Sequence, residues 1–109
     1  MSLSPRIRAL TALNVSCNGI EGAEAGKALG NTLAANTVLQ QLDLSKNYSG
    51  AEFANEFSVG LRANGALATI TFGDKQAVTM TTTMTEANFS GKLRSYEAQI
   101  VAAFLPKCQ

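Results

Sequence analysis

Residues 39–47 read "LQQLDLSKN", with leucines at positions 39, 42 and 44 and an asparagine at 47. The same spacing stands upstream in residues 10–18, "LTALNVSCN", where Leu10, Leu13, Val15 and Asn18 each precede their counterparts by 29 positions. A third copy begins 28 positions after the second, with Leu67, Ile70 and Phe72. The stretches between also correspond. "GAE" recurs at Gly22-Ala23-Glu24 and Gly50-Ala51-Glu52, and Leu29, Leu33 and Asn36 match Phe57, Leu61 and Asn64, all 28 positions on. The one-residue difference falls just after the asparagine, where a loop tolerates it. A period of this length marks stacked supersecondary units.

Each unit has two halves of different periodicity. "LTALNV" and "LQQLDL" alternate at their ends, as short strands do. Residues 24–35 and 52–63 read as helices. Leu29 and Leu33 are four apart, as are Phe57 and Leu61, so each pair shares a helical face. Glu24 and Glu52 fall in the first turns, where the helix dipole favours an acid. "AAN" and "RAN" close the helices, with Asn36 and Asn64 expected in the left-handed conformation that follows a last turn.

This pattern resembles the leucine-rich repeat family in its long, ribonuclease-inhibitor-like subclass, over roughly residues 7–75. The resemblance implies an α/β solenoid, a right-handed β-α superhelix with a parallel inner sheet and outer helices. Leu13, Val15, Leu42 and Leu44 then point between sheet and helices, and Leu10 and Leu39 anchor the turns into the strands. It also implies that the Asn18 and Asn47 amides bond backbone groups left unpaired where the chain turns off a strand. Such groups cost about 1–3 kcal/mol each if buried without partners.

The third unit departs from the pattern. Lys75 stands where the asparagine is due, and no helix follows. The stretch 76–90, "QAVTMTTTMTEANFS", alternates Val78, Met80, Thr82 and Met84, which reads as a Thr-rich β-hairpin inserted on the outer side, turning near residues 81–83. A solvated strand with its methionines inward is the plain reading of this run, ahead of ice binding, phosphorylation or O-glycosylation. A degenerate fourth unit follows, with Met84, Ala87 and Phe89 spaced three-then-two and Lys92 at the asparagine position. A last helix is expected over about residues 96–105, ended by Pro106 and burying Ile100, Val101, Phe104 and Leu105. One domain of four units, about 7–35, 36–63, 64–83 and 84–109, results.

The 109 residues suffice for one small domain, and 46 % hydrophobic content sustains a core. Nine basic against eight acidic residues give a net charge of +1 without a basic run, so the footprint of a nucleic-acid or anionic-membrane binder is missing. No apolar run reaches the ~18 residues of a membrane span, and residues 1–10 lack the apolar region of a secretory leader. Cys17 and Cys108 stand alone in a chain without histidine, which argues against a zinc site and for reduced thiols in the cytoplasm. Without histidine there is no Ser-His-Asp or Cys-His catalysis, and no phosphate-binding loop occurs. No cofactor and no enzymatic activity are expected.

The expected function is a non-catalytic protein–protein interaction module. Its binding residues are those alternating with the core on the concave face of the sheet. They are Asn14 and Ser16 on the first strand, Gln41, Asp43 and Ser45 on the second, Thr69 and Thr71 on the third, and Glu86 and Asn88 on the fourth. Uncapped solenoid ends favour a self-associating unit or a fragment of a longer array as one alternative. The family resemblance implies another, a GTPase-activating regulatory segment.

Overall fold

The spacing of apolar residues places Leu13, Leu42 and Ile70 at equivalent points of three short strands. The structure, a computed structural model, describes residues 10–47 and 49–108. The start of the first unit at residue 7, and the leader reading of residues 1–9, lie outside them. Strands β1 (Ala12–Asn14), β2 (Gln41–Asp43) and β3 (Thr69–Phe72) run parallel, with Leu13 opposite Leu42 and Leu42 opposite Ile70. Helix α1 (Gly22–Ala35) joins β1 to β2, and α2 (Gly50–Ala63) joins β2 to β3. Crossovers of this kind are what parallel pairing requires.

After β3 the chain reverses. Strand β4 (Val78–Thr81) pairs antiparallel with β3, placing Met80 opposite Ile70 and Val78 opposite Phe72. The reversal depends on Gly73, whose φ is +119° and where a Cβ would lie 2.2 Å from the Gln76 carbonyl oxygen. No other residue type fits that corner without moving backbone. The sheet order is β1-β2-β3-β4. A 3-10 turn (Ser95–Glu97), helix α3 (Ala98–Phe104) and a second 3-10 turn (Leu105–Lys107) complete the described chain.

The core lies between the sheet and its helices. Leu42, Leu44, Ile70, Phe72 and Met80 from the sheet side meet Phe53, Phe57 and Leu61 of α2 and Phe104 of α3, all buried. The Phe53 and Phe57 rings stack at 5.2 Å with 18° between planes. Helices α1 and α2 approach backbone to backbone at glycines. A Cβ on Gly60 would lie 1.9 Å from the Gly30 carbonyl oxygen, and one on Gly26 would lie 2.4 Å from that of Phe53. The α1 end is less covered, since Leu13, Val15, Ile20 and Leu29 are only partly buried.

This architecture corrects the expected solenoid. Among the described residues there is one short, mixed four-stranded sheet with three helices, and no superhelix of repeated β-α units. The parallel set ends at β3 because the Gly73 corner turns the chain back instead of into a third crossover helix. The radius of gyration is 13.1 Å, matching the ~13 Å of a globular chain of this length. The Thr-rich stretch does turn at residues 82–83, as expected, with Met84 N donating to Thr81 O (3.3 Å), but it is not a separate outer hairpin, for its first half is β4 and belongs to the sheet. The degenerate fourth unit forms no strand, and residues 84–89 are irregular. In α3, Ile100 and Phe104 are buried as expected, but Ala103 joins them, Val101 is half-buried and Leu105 is exposed.

The helix ends also differ from expectation. Asn36 and Asn64 have φ/ψ of −87°/130° and −73°/133°, which is extended, not left-handed. Among the described residues the left-handed non-glycine positions are Cys17 and Lys46, each just before the asparagine that leaves a strand.

Candidate functional site

One face of the sheet carries the core, and alternation of side chains leaves the other to polar residues. Pairing aligns these in two rows. Ala12, Gln41, Thr69 and Thr81 form one, and Asn14, Asp43, Thr71 and Thr79 form the other. Their β1–β3 members floor a concavity of about 310 Å³ lined by Ala12, Asn14, Gln41, Asp43, Thr69 and Thr71. Thr71 and Thr79 share a hydroxyl hydrogen bond of 2.9 Å across the hairpin.

Two of the polar residues also shape the strand exits. Asn14 Oδ1 accepts from Ser16 N (2.9 Å) and Ser16 Oγ (2.7 Å). Asp43 Oδ1 accepts from Ser45 N (3.0 Å) and Ser45 Oγ (2.7 Å). Such short-range bonds favour a bend over continued strand. They hold Asn14 and Asp43 upright on the open face and limit their freedom, which lowers the entropy a ligand must overcome.

Five predicted positions, Asn14, Gln41, Asp43, Thr69 and Thr71, thus share one concavity. Ser16 is half-buried and Ser45 is buried at the strand exits, so neither offers an open surface. Glu86 and Asn88 sit on the irregular segment after β4, beside Ala87 at a different depression. The structure does not bring them onto the sheet face, because the strand expected to carry them does not form. Thr79 and Thr81 take their place. The alternation of Val78 and Met80 carried that signal, which the assignment to an outer hairpin obscured.

Beneath the strand exits runs a ladder of buried polar groups. Asn47 is fully buried, and its Nδ2 donates to Leu44 O (2.8 Å) and Val15 O (3.1 Å). Its Oδ1 accepts from Asn18 N (2.7 Å) and Ile20 N (3.1 Å). Asn18 is exposed, and among the described residues its Nδ2 bonds its own turn alone, at Val15 O (2.9 Å) and Ser16 O (3.2 Å). One coil later the asparagine role passes to Asp74, not to the Lys75 position. Asp74 Oδ1 accepts from Ser49 N at 3.2 Å, and Ser49 stands 29 positions after Ile20. Asp74 N in turn donates to the buried Glu97 (2.9 Å), which also receives Arg94 N (2.6 Å).

A second ladder lies at the helix C-termini. Asn64 Nδ2 donates to Leu33 O (2.7 Å) and Asn36 O (3.0 Å), while its Oδ1 accepts from Ala66 N (2.9 Å) and Leu67 N (2.7 Å). Asn36 Oδ1 likewise accepts from Val38 N and Leu39 N. Lys107 Nζ reaches Asn64 O and Arg62 O, neutralising the α2 terminus.

A third feature is an apolar groove of about 390 Å³ between β4, segment 84–89 and α3, lined mainly by Met80, Met84, Phe89, Val101 and Leu105. Among the described residues no cluster of His, Cys, Asp and Glu could hold a metal ion, and no helix is long and apolar enough to cross a membrane. Cys17 and Cys108 are both free. No family model, curated protein or solved structure matches the chain.

Proposed function

We propose that the domain is a non-catalytic protein-binding module that receives its partner on the polar face of the sheet. The observation that carries this reading is the register itself, which aligns Asn14, Gln41, Asp43, Thr69 and Thr71 over one concavity. The side chains are small, and the carboxylate of Asp43 lies within the set. Trp, Tyr and Arg, the usual energetic anchors of an interface, are missing among the described residues that line this face. The partner therefore supplies them, and a basic or amide-bearing segment suits Asp43 and Gln41. The leucine-rich spacing of residues 10–18 and 39–47 supports the same reading by resemblance. Two free cysteines suit a reducing compartment, so we place the protein in the cytoplasm.

The test compares wild type with a Gln41→Arg/Thr69→Arg variant. Both residues face outward, so the variant should keep the wild-type circular dichroism spectrum. Proteins captured by the wild type and lost with the variant would support the reading. Identical captures by the two forms would sink it.

A further inference from the structure

Parallel pairing alternates the direction of main-chain groups along each strand. Gln41 N donates to Thr11 O (3.0 Å), Asp43 O accepts from Val15 N (2.8 Å), and Ser45 O accepts from Cys17 N (3.0 Å). Residues 41, 43 and 45 thus turn their main-chain groups toward β1. Ala12 and Asn14 stand opposite Gln41 and Asp43 in register, and Ser16 holds the place of Ser45. By the same alternation the Ala12 N–H and the carbonyls of Asn14 and Ser16 point away from the sheet, along its β1 edge. Asn18 continues the likeness. Its Nδ2 makes the local bonds that Asn47 makes, but its Oδ1 has no partner among the described residues. The Asn47 Oδ1 takes the Asn18 and Ile20 N–H groups of the neighbouring turn.

The β1 edge therefore presents the same set of groups that β2 uses to hold β1. From this we infer that it is a docking site for an extended segment of a partner protein, lying parallel to β1. Its occupant is defined by that pairing. Two N–H groups two residues apart meet the Asn14 and Ser16 carbonyls, as those of Val15 and Cys17 meet Asp43 and Ser45. The segment then bends, and N–H groups one and three residues further on meet Asn18 Oδ1. Its inward side chains are apolar, because Leu13, Val15, Ile20 and Leu29 are left partly uncovered at this end. Proline is excluded at each donating position. Main-chain bonds supply affinity and the apolar side chains supply selection, as in strand addition generally. This edge adjoins the polar face proposed above and shares Ala12 and Asn14 with it, but offers their main-chain groups and not their side chains.

The probe is a synthetic peptide of residues 10–20 carrying Cys17→Ser, since that sequence is the one β2 already receives. It is titrated into the full-length 15N-labelled chain. The expected result is saturable movement of the Ala12 amide and the Asn18 side-chain resonances, while Thr79 and Thr81 on the far edge stay still. Methylating the two peptide nitrogens equivalent to Val15 and Cys17 should weaken binding at least tenfold. Asn18→Ala in the protein should weaken it at least threefold. The Gln41→Arg/Thr69→Arg variant should still bind, which separates this inference from the reading of the polar face. No movement at millimolar peptide would overturn the proposal, as would indifference to methylation or shifts centred on β4. So would binding that appears only after residues 1–9 are removed, since the chain would then cover its own edge.

Discussion

Asn18 and Asn47 hold equivalent places in the sequence pattern, yet their replacement by alanine should have very different consequences. Asn47 is fully buried and makes bonds of 2.7 and 3.1 Å through Oδ1 and of 2.8 and 3.1 Å through Nδ2. Asn47→Ala leaves the buried Leu44 carbonyl without this partner, at about 1–3 kcal/mol. The groups at Val15, Asn18 and Ile20 lie in a partly exposed turn and regain water, so each loses only about 0.5–1 kcal/mol. The sum is about 2.5–6 kcal/mol, a large share of the ~5–15 kcal/mol that holds a domain folded. Asn18 is exposed and its two bonds serve its own turn, so Asn18→Ala should cost no more than about 1 kcal/mol. Urea unfolding followed by far-ultraviolet circular dichroism measures both, and the midpoint should shift without a change of slope. Equal losses, or a loss below about 1 kcal/mol for Asn47→Ala, would refute the ladder as a source of stability.

Other positions test the packing and the remaining polar cluster. Gly60→Ala forces a Cβ to within 1.9 Å of the Gly30 carbonyl oxygen, and overpacking of about 2–4 kcal/mol should outweigh the ~1 kcal/mol gained in helix propensity. Gly65→Ala, with open space around it, should change stability by less than about 0.5 kcal/mol in the same denaturation assay. Glu97→Gln turns one acceptor into an NH₂ group facing the Asp74 or Arg94 N–H, and thermal unfolding should register a loss of about 1–3 kcal/mol. Leu42→Ala should cost about 2–5 kcal/mol, whereas Leu105→Ala, at a site 54 % exposed, should be nearly neutral. Comparable effects for the two leucines would mean that the burial of the sheet is misassigned.

The leucine spacing made β1 to β3 and both crossover helices legible, because a three-then-two pattern demands a turn, a strand and an inward pair of side chains. The polar floor follows from it by alternation, and five of the residues assigned to that face line the concavity. What escaped was the end of the pattern. Met84, Ala87 and Phe89 keep the spacing of a strand, but with β4 already covering the β3 edge no parallel neighbour remains there for them to pair with. The repeat period puts the acceptor after β3 at Lys75, but it stands one residue earlier, at Asp74, since the Gly73 corner shortens the exit. Asn36 and Asn64 look like backbone devices in the sequence, whereas in the structure their side chains close the helices by taking two N–H groups beyond each one. Residue type alone does not separate these roles, for asparagine suits both. The Gly26, Gly30 and Gly60 contact left no periodic apolar signal, because its surface is main chain.

The ladder of buried acceptors has a direction, and that direction bears on how the chain comes off the ribosome. The Asn18 N–H waits for Asn47, the Ser49 N–H for Asp74 and the Asp74 N–H for Glu97, at separations of 29, 25 and 23 residues. In every case the acceptor is made after the group it serves. At roughly 5–20 residues per second, each exit turn remains unfinished for about 1–6 s after its own residues are joined. A helix can form in about a microsecond, so α1 and α2 have ample time to coil before the turns that precede them can close. The nascent chain therefore gains its order backwards, each newly made segment locking the one before it.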